Sequence, residues 1–243
     1  MRYLLAILSC CLMLFANSQK KNNEYILVYD GDWKPCKPDS AEYLAFVQKR
    51  NDTAWQWNYY NYRGPALVVE TYKDEDATIA NGYFGYFNKK GKIDSAGYAT
   101  NGKRNGKWYF YGDSIRPQLT KEYSMGVLVY EEKPKQPKDQ ALNPGDKEAD
   151  FKGGTKAWIK YIERNLEVPD RASNLKAKGT VIISFVVGSD GNLLDPRIIQ
   201  SVEYSIDREA SRLIKESPPW IPAEQEGRKV KAYRLQPITI VTQ

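Results

Sequence analysis

The chain has 243 residues, enough for two small domains with separate cores, and its formal charge of +6 comes from basic residues scattered among acids. Solubility explains that balance as well as nucleic-acid binding does, and the N-terminal export signal is what makes a nucleic-acid partner unexpected. Histidine is absent, which removes the commonest general base and the commonest neutral metal ligand. No cluster of Cys, Asp and Glu has recognisable metal-ligand spacing, so neither a metal nor a cofactor is expected.

Arg2, the apolar run from Leu4 to Ala16 and the small residues Ala16 and Ser18 predict a secretory signal peptide over 1–18. The run is well short of the roughly 20 residues that cross a bilayer, so a signal anchor is the weaker competitor. A lipoprotein signal at Cys10 or Cys11 leaves a very short apolar segment and fits less well. Cleavage after Ser18 removes both of those cysteines and leaves Cys36 without a partner in the monomer, so the exported chain is held by its core or by a partner.

In the first mature region, 19–131, a strand is predicted over Tyr25–Tyr29, with a turn at Asp30-Gly31-Asp32. Ser40 is placed to cap a short helix running through Ala41, Tyr43, Leu44, Phe46 and Val47 toward Lys49. From Trp55 to Glu131 the pattern is of strands rich in tyrosine, tryptophan and valine, punctuated by glycine turns. Two units recur there at roughly 24 residues. Asn81-Gly82, Phe84, Tyr86, Phe87 and Asn101-Gly102 match Asn105-Gly106, Trp108, Phe110, Tyr111 and Met125-Gly126, and Asn-Gly pairs favour tight hairpins. The segment from Gly97 to Gly112 resembles MORN-type or antitoxin-like repeats over about 81–126, and that resemblance implies a spacer or interaction scaffold without chemistry. Trp108, Tyr109, Phe110 and Tyr111 read first as cross-strand packing with one face buried; an aromatic ligand surface is the alternative.

A proline-containing linker is expected over 132–149, where Pro134, Pro137 and Pro144 remove backbone donors and little is available to bury. Beyond it, Trp158, Ile162 and Leu166 repeat every four residues on a helix from Thr155 to Leu166. Thr180–Val187 is a strong strand. Val181, Ile183, Phe185 and Val187 share one face, Ile182 and Val186 the other, so both faces are expected to be covered. Asp190-Gly191 turns the chain into a return strand over Leu193–Val202. Ser205 is placed to cap a helix from Ile206 to Lys215, which stops before Pro218-Pro219. A last strand is expected over Val230–Val241. The fold class is therefore α+β for 150–243, two helices against a three-stranded antiparallel sheet, after a mainly β, aromatic-rich N-terminal region with glycine turns.

Phe151-Lys152-Gly153-Gly154, the helix containing Trp158, Val168-Pro169, Gly179-Thr180-Val181, Asp190-Gly191 and Trp220-Ile221-Pro222 occur in this order. Together they resemble the C-terminal domain of the TonB family over about 151–243. The resemblance implies a periplasmic or envelope-associated, non-enzymatic module that holds the plug, or an extended peptide, of an outer-membrane receptor. Strand addition at an open sheet edge is the physical route. It points to the final strand as that edge, with Tyr233, Leu235 and Ile238 as contact residues and Trp220 as either edge support or partner contact. A true energy transducer, coupled to inner-membrane motor proteins through a membrane anchor, is an alternative, and so is a structural or assembly protein of the envelope. Asp190, Asp195 and Asp207 have ordinary turn, strand-flank and helix-start positions, so catalysis is not the reading.

Overall fold

A computed structural model describes residues 23–133 and 145–242. The predicted signal peptide, with Cys10 and Cys11, and most of the central linker lie outside the described residues.

The N-terminal region is one nine-stranded antiparallel meander, β1 (Glu24–Tyr29), β2 (Tyr43–Asn51), β3 (Ala54–Asn61), β4 (Ala66–Tyr72), β5 (Gly82–Phe87), β6 (Ile93–Thr100), β7 (Lys103–Phe110), β8 (Leu119–Ser124) and β9 (Val127–Glu132), with each strand beside its sequence neighbours. The expected helix after Ser40 is not there. A 3-10 turn at Pro38–Ser40 leads directly into β2. Leu44, Ala45, Phe46 and Val47 are all buried, which requires a strand covered on both faces. Trp33 stacks on Tyr43 at 4.2 Å on one side, and Tyr204 of the C-terminal region packs on Phe46 at 5.2 Å on the other.

The repeat units show different uses of the same dipeptide. Asn101-Gly102 forms the two-residue β6–β7 turn, with both residues at positive φ, the conformation that such a hairpin demands. Asn105-Gly106 lies inside β7 and Asn81-Gly82 at the start of β5, so neither is a hairpin tip. Each instead clasps a tip: Asn81 Oδ1 accepts from Asn101 N at 3.3 Å, and Asn105 Oδ1 accepts from Met125 N at 3.2 Å. Gly102 N donates to Ala80 O at 2.8 Å, and Gly126 N donates to Arg104 O at 2.7 Å. Trp108 is buried against Gly97, where a Cβ would sit 2.4 Å from the indole ring.

The C-terminal region contains α1 (Gly154–Asn165), a short α2 (Asp170–Asn174), β10 (Gly179–Val187), β11 (Leu193–Gln200), α3 (Tyr204–Lys215), a small hairpin β12 (Ala223–Gln225) and β13 (Arg228–Val230), and β14 (Ala232–Ile240). Its antiparallel sheet has the order β11-β10-β14. The helix-facing core holds Val181, Ile183, Phe185 and Val187 with Ile206, Ala210, Leu213, Ile214, Ile238 and Ile240. Ser205 does not cap α3. Glu203 does, its carboxylate accepting from Ser205 N at 2.8 Å, because Ser205 already lies within the first turn.

The opposite face of this sheet lies on the N-terminal meander. Ile199, Ile182 and Leu235 join Ile93, Ala96 and Tyr111 in one cluster, and Tyr204 joins Leu44, Phe46, Tyr60 and Ala66 in another. Ser201 fastens the two sheets: its Oγ accepts from Ala66 N at 2.7 Å and its N donates to Gly91 O at 2.8 Å. Behind it, Asp207 is fully buried and accepts from Ser201 Oγ at 2.5 Å and Val202 N at 2.9 Å. Burial lifts its carboxyl to about 7 against donors from Ser201, Val202 and Tyr60 that oppose the shift. Apolar surroundings disfavour the charged form more than these three donors favour it.

Candidate partner-binding edge

A three-stranded sheet has two edges, and here they differ. The β11 edge is bridged by Lys92 opposite Gln200 and carries Pro196 next to Asp195, which is at positive φ. Among the described residues β14 has β10 on one side and no strand on the other.

Register decides which backbone groups β14 offers. Thr180 O accepts from Gln200 Nε2 of β11 at 3.2 Å, so the backbone of Thr180, Ile182, Ser184 and Val186 faces β11. Their partners across the other ladder are Thr239, Pro237, Leu235 and Tyr233, and these therefore turn their backbone groups away from β10. Pro237 fits this parity, since a proline in a ladder is tolerated where its missing N–H would face outward. The free edge thus presents N–H and C=O groups at Tyr233, Leu235 and Thr239, with one donor gap at Pro237.

Beside that edge runs a shallow groove of about 260 Å³ between α1 and β14, lined by Trp158, Ile159, Ile162, Gln236, Pro237 and Ile238. Ile159 is half exposed. The groove is below the usual size of a small-molecule pocket and matches single side chains projecting from an added strand. The wall is held in place by α3. Tyr161 Oη donates to Leu213 O at 3.0 Å, Arg212 reaches Asn165 O at 2.6 Å, and Glu209 accepts from Glu167 N at 2.8 Å.

The four residues named from sequence separate by alternation. Tyr233 is exposed and Leu235 half-buried on the face turned toward the meander, where Leu235 packs with Ile93 and Tyr111. Ile238 is buried on the helix face beneath the groove. Trp220 is buried as well, its ring 5.1 Å from Phe185, 5.5 Å from Trp158 and 5.8 Å from Phe151, with Nε1 donating to Ser217 Oγ at 3.0 Å. Gly191 lies against it: a Cβ there would sit 2.2 Å from Trp220 O, and Trp220 N donates to Gly191 O at 2.9 Å. The sequence-marked residues Phe151, Trp158, Asp190-Gly191 and Trp220 therefore meet in one structural knot under the sheet. The groove residues Ile159, Ile162 and Pro237 were not singled out for binding, and the exposed isoleucine on an otherwise polar helix face was the signal available.

Among the described residues no group of three His, Cys, Asp or Glu side chains is placed to hold a metal ion, and no helix is long and apolar enough to cross a membrane. Residues 164–239 match the family model described as the Gram-negative bacterial TonB protein C-terminal. The match covers about a third of the chain and supports a non-catalytic, protein-interaction role for its C-terminal region. It does not extend to 81–126, and the comparisons give no support to the MORN-type or antitoxin-like likeness expected there. No curated protein and no solved structure gives a significant match to the chain.

Proposed function

We propose, with the TonB-family match of residues 164–239 as premise, that this is an exported binding protein of a TonB-type uptake system. Its C-terminal domain takes up an extended receptor-plug peptide as a fourth strand beside β14. The observation that carries this reading is the free β14 edge running along an apolar groove. Backbone pairing at Tyr233, Leu235 and Thr239 supplies affinity, and alternate peptide side chains enter the α1 groove and supply selectivity. Ile238 and Trp220 act from beneath, by fixing the strand and the groove wall. The accessory reading is favoured over force transmission by the predicted cleaved signal over 1–18 and by the C-terminal sheet lying on the meander, with Lys147 bridged to Glu224 and Ala149 buried. In the same reading the meander of 19–131 is a scaffold that presents the domain.

Tyr233→Pro tests the mechanism. It removes an outward donor at the parity that Pro237 already occupies, so the β10 ladder is left intact. Titration of the full chain with plug-derived peptides is expected to lose affinity by about tenfold, the net worth of one hydrogen bond, at an unchanged melting midpoint. Unaltered affinity in a folded Tyr233→Pro chain refutes strand addition on this edge.

A further inference from the structure

Between β2 and β3 of the meander and α3 and β11 of the C-terminal region lies an open cleft of about 600 Å³, within the roughly 300–1,000 Å³ of sites that hold small molecules. Its lining joins apolar Phe46, Val69 and Ile198 to the amides of Gln48 and Gln56. No residue of β14 takes part, so the cleft is separate from the strand edge described above.

Charges along this cleft are unevenly matched. Arg208 of α3 reaches Glu24 of β1 across the joint, Arg197 holds Asp195, and Arg212 holds both Glu209 and Glu216, at 2.7 Å and 2.6 Å. Glu167 lies at the Arg212 end, where its N donates to Glu209. Asp207 is fully buried and turned to Ser201 and Val202. Two cations remain. Among the described residues no carboxylate pairs with Arg50, near the end of β2, or with Lys215, the last residue of α3; Arg50 donates to Gln48 Oε1 at 3.3 Å, and the nearby Asp52 is taken by Lys49 at 3.2 Å. The α3 C-terminus offers Lys215 about half a unit of opposing charge, which no helix end supplies to Arg50. Both side chains stay open to solvent and so remain accessible to a ligand.

The two cations also feel one another. Partial desolvation lowers the Lys215 ammonium pKa, and Arg50 and Arg208 lower it further against the opposing pull of Glu24. Desolvation and then Arg197 do the same to Arg50 against Asp195. The joint therefore closes on like charges here, whereas Arg208 and Arg171, the other cations at this joint, each hold a carboxylate. Like charges brought together are destabilising, and an anion placed between them reverses the sign. Two unit charges call for a dianion. A carboxylate supplies one negative charge, while a phosphate monoester supplies about 1.5–2 at pH 7, and its oxygens suit an arginine fork with an ammonium beside it. Amide side chains that both donate and accept suit a hydroxylated body.

We propose that Arg50 and Lys215 bind the phosphate group of a small, hydroxylated phosphate monoester whose body lies in the cleft against Gln48 and Gln56. The bound ester bridges β2 and α3 and fastens the meander to the C-terminal domain.

Calorimetric titration of the full chain with glycerol 3-phosphate, against sodium chloride of matched ionic strength, is expected to show one saturable site and a melting midpoint that rises as the site fills. Lys215→Gln and Arg50→Gln are each expected to weaken that binding about tenfold or more. Without the ester neither variant is expected to melt below the parent, because each removes one of two like charges; a merely structural role for these side chains lowers the midpoint instead. Inorganic phosphate, which leaves the amides unused, is expected to bind about tenfold more weakly or worse. Vesicles containing phosphatidic acid are expected not to retain the chain. A parent chain with no saturable binding of glycerol 3-phosphate overturns the proposal. So do unchanged affinity in both folded variants, inorganic phosphate that binds as tightly as the ester, and retention on the vesicles in place of binding to the soluble ester.

Discussion

Replacing Arg171 with alanine probes the joint on which the two regions meet. Its Nε donates to Glu203 Oε1 at 2.7 Å, its guanidinium also donates to Tyr62 O across the joint, and it lies 4.6 Å from the Tyr62 ring centroid. Glu203 is 1% exposed, and its other oxygen is taken by Ser205 N at 2.8 Å and Ser205 Oγ at 2.5 Å. Removing one partner of a buried pair costs about 3–5 kcal/mol, chiefly because the survivor is left charged without compensation. Arg171 itself is 28% exposed, so water admitted at its position screens part of that penalty, and about 2–3 kcal/mol is the expected loss. Glu203→Gln alone leaves no stranded carboxylate and is expected to cost about 1.5–3 kcal/mol, the worth of one charge-assisted bond. The double variant is then less destabilised than the sum of the two, with a coupling of about 1–2 kcal/mol. Urea unfolding followed by tryptophan fluorescence and by far-ultraviolet circular dichroism measures both the loss and whether the regions unfold together. An Arg171→Ala chain within about 0.5 kcal/mol of the parent, a shift typical of uninvolved surface positions, refutes the reasoning, and so does strict additivity in the cycle.

Asp207 makes the same joint pH-dependent. Its folded pKa of about 7 exceeds the ordinary 3.8, so the native state holds a proton that the unfolded chain releases. The stability from this group is full below about pH 4 and is lost as pH rises through 7. At roughly 1.4 kcal/mol per pKa unit the effect is at most about 4 kcal/mol. Asp207→Asn is expected to flatten the fall in urea midpoint between pH 5 and pH 8; an unchanged slope excludes Asp207 as its source. Asn81→Ala and Asn105→Ala remove equivalent clasps from the Asn101 and Met125 turns and are each expected to cost about 0.5–1.5 kcal/mol. Calorimetric midpoints that differ widely between the two contradict the structural equivalence of the repeat units.

The C-terminal elements were legible because their periods are unambiguous and their marker residues pack on one another. The helix expected over Thr155–Leu166 runs from Gly154 to Asn165, and the strand expected over Thr180–Val187 runs from Gly179 to Val187. The Asp190-Gly191 turn is legible too, with Gly191 at positive φ, but its close approach to Trp220 O is shown only by the packing. β2 failed for the opposite reason. A run of Leu44, Ala45, Phe46 and Val47 has no alternation, and its second cover comes from Tyr204, far along the chain; a short apolar run read alone does not distinguish a doubly covered strand from a helix. The edge itself was less legible than the fold. Tyr233 and Leu235 fell on the strand chosen by resemblance, but which of its backbone groups are free follows from register with β10 and from Gln200 reaching Thr180. The resemblance points to Ile238 as a contact and to Trp220 as edge support or contact, and the packing buries both, while Ile159 on the groove wall carries no mark in that resemblance.

Amide chemical-shift mapping of the full chain with a plug-derived extended peptide tests the central claim most directly. Perturbations concentrated at Tyr233, Leu235 and Thr239, with smaller shifts at Ile159 and Ile162, are the predicted result. A peptide that binds while shifting residues of β9, β11 or α3 and leaving 232–240 unchanged contradicts it.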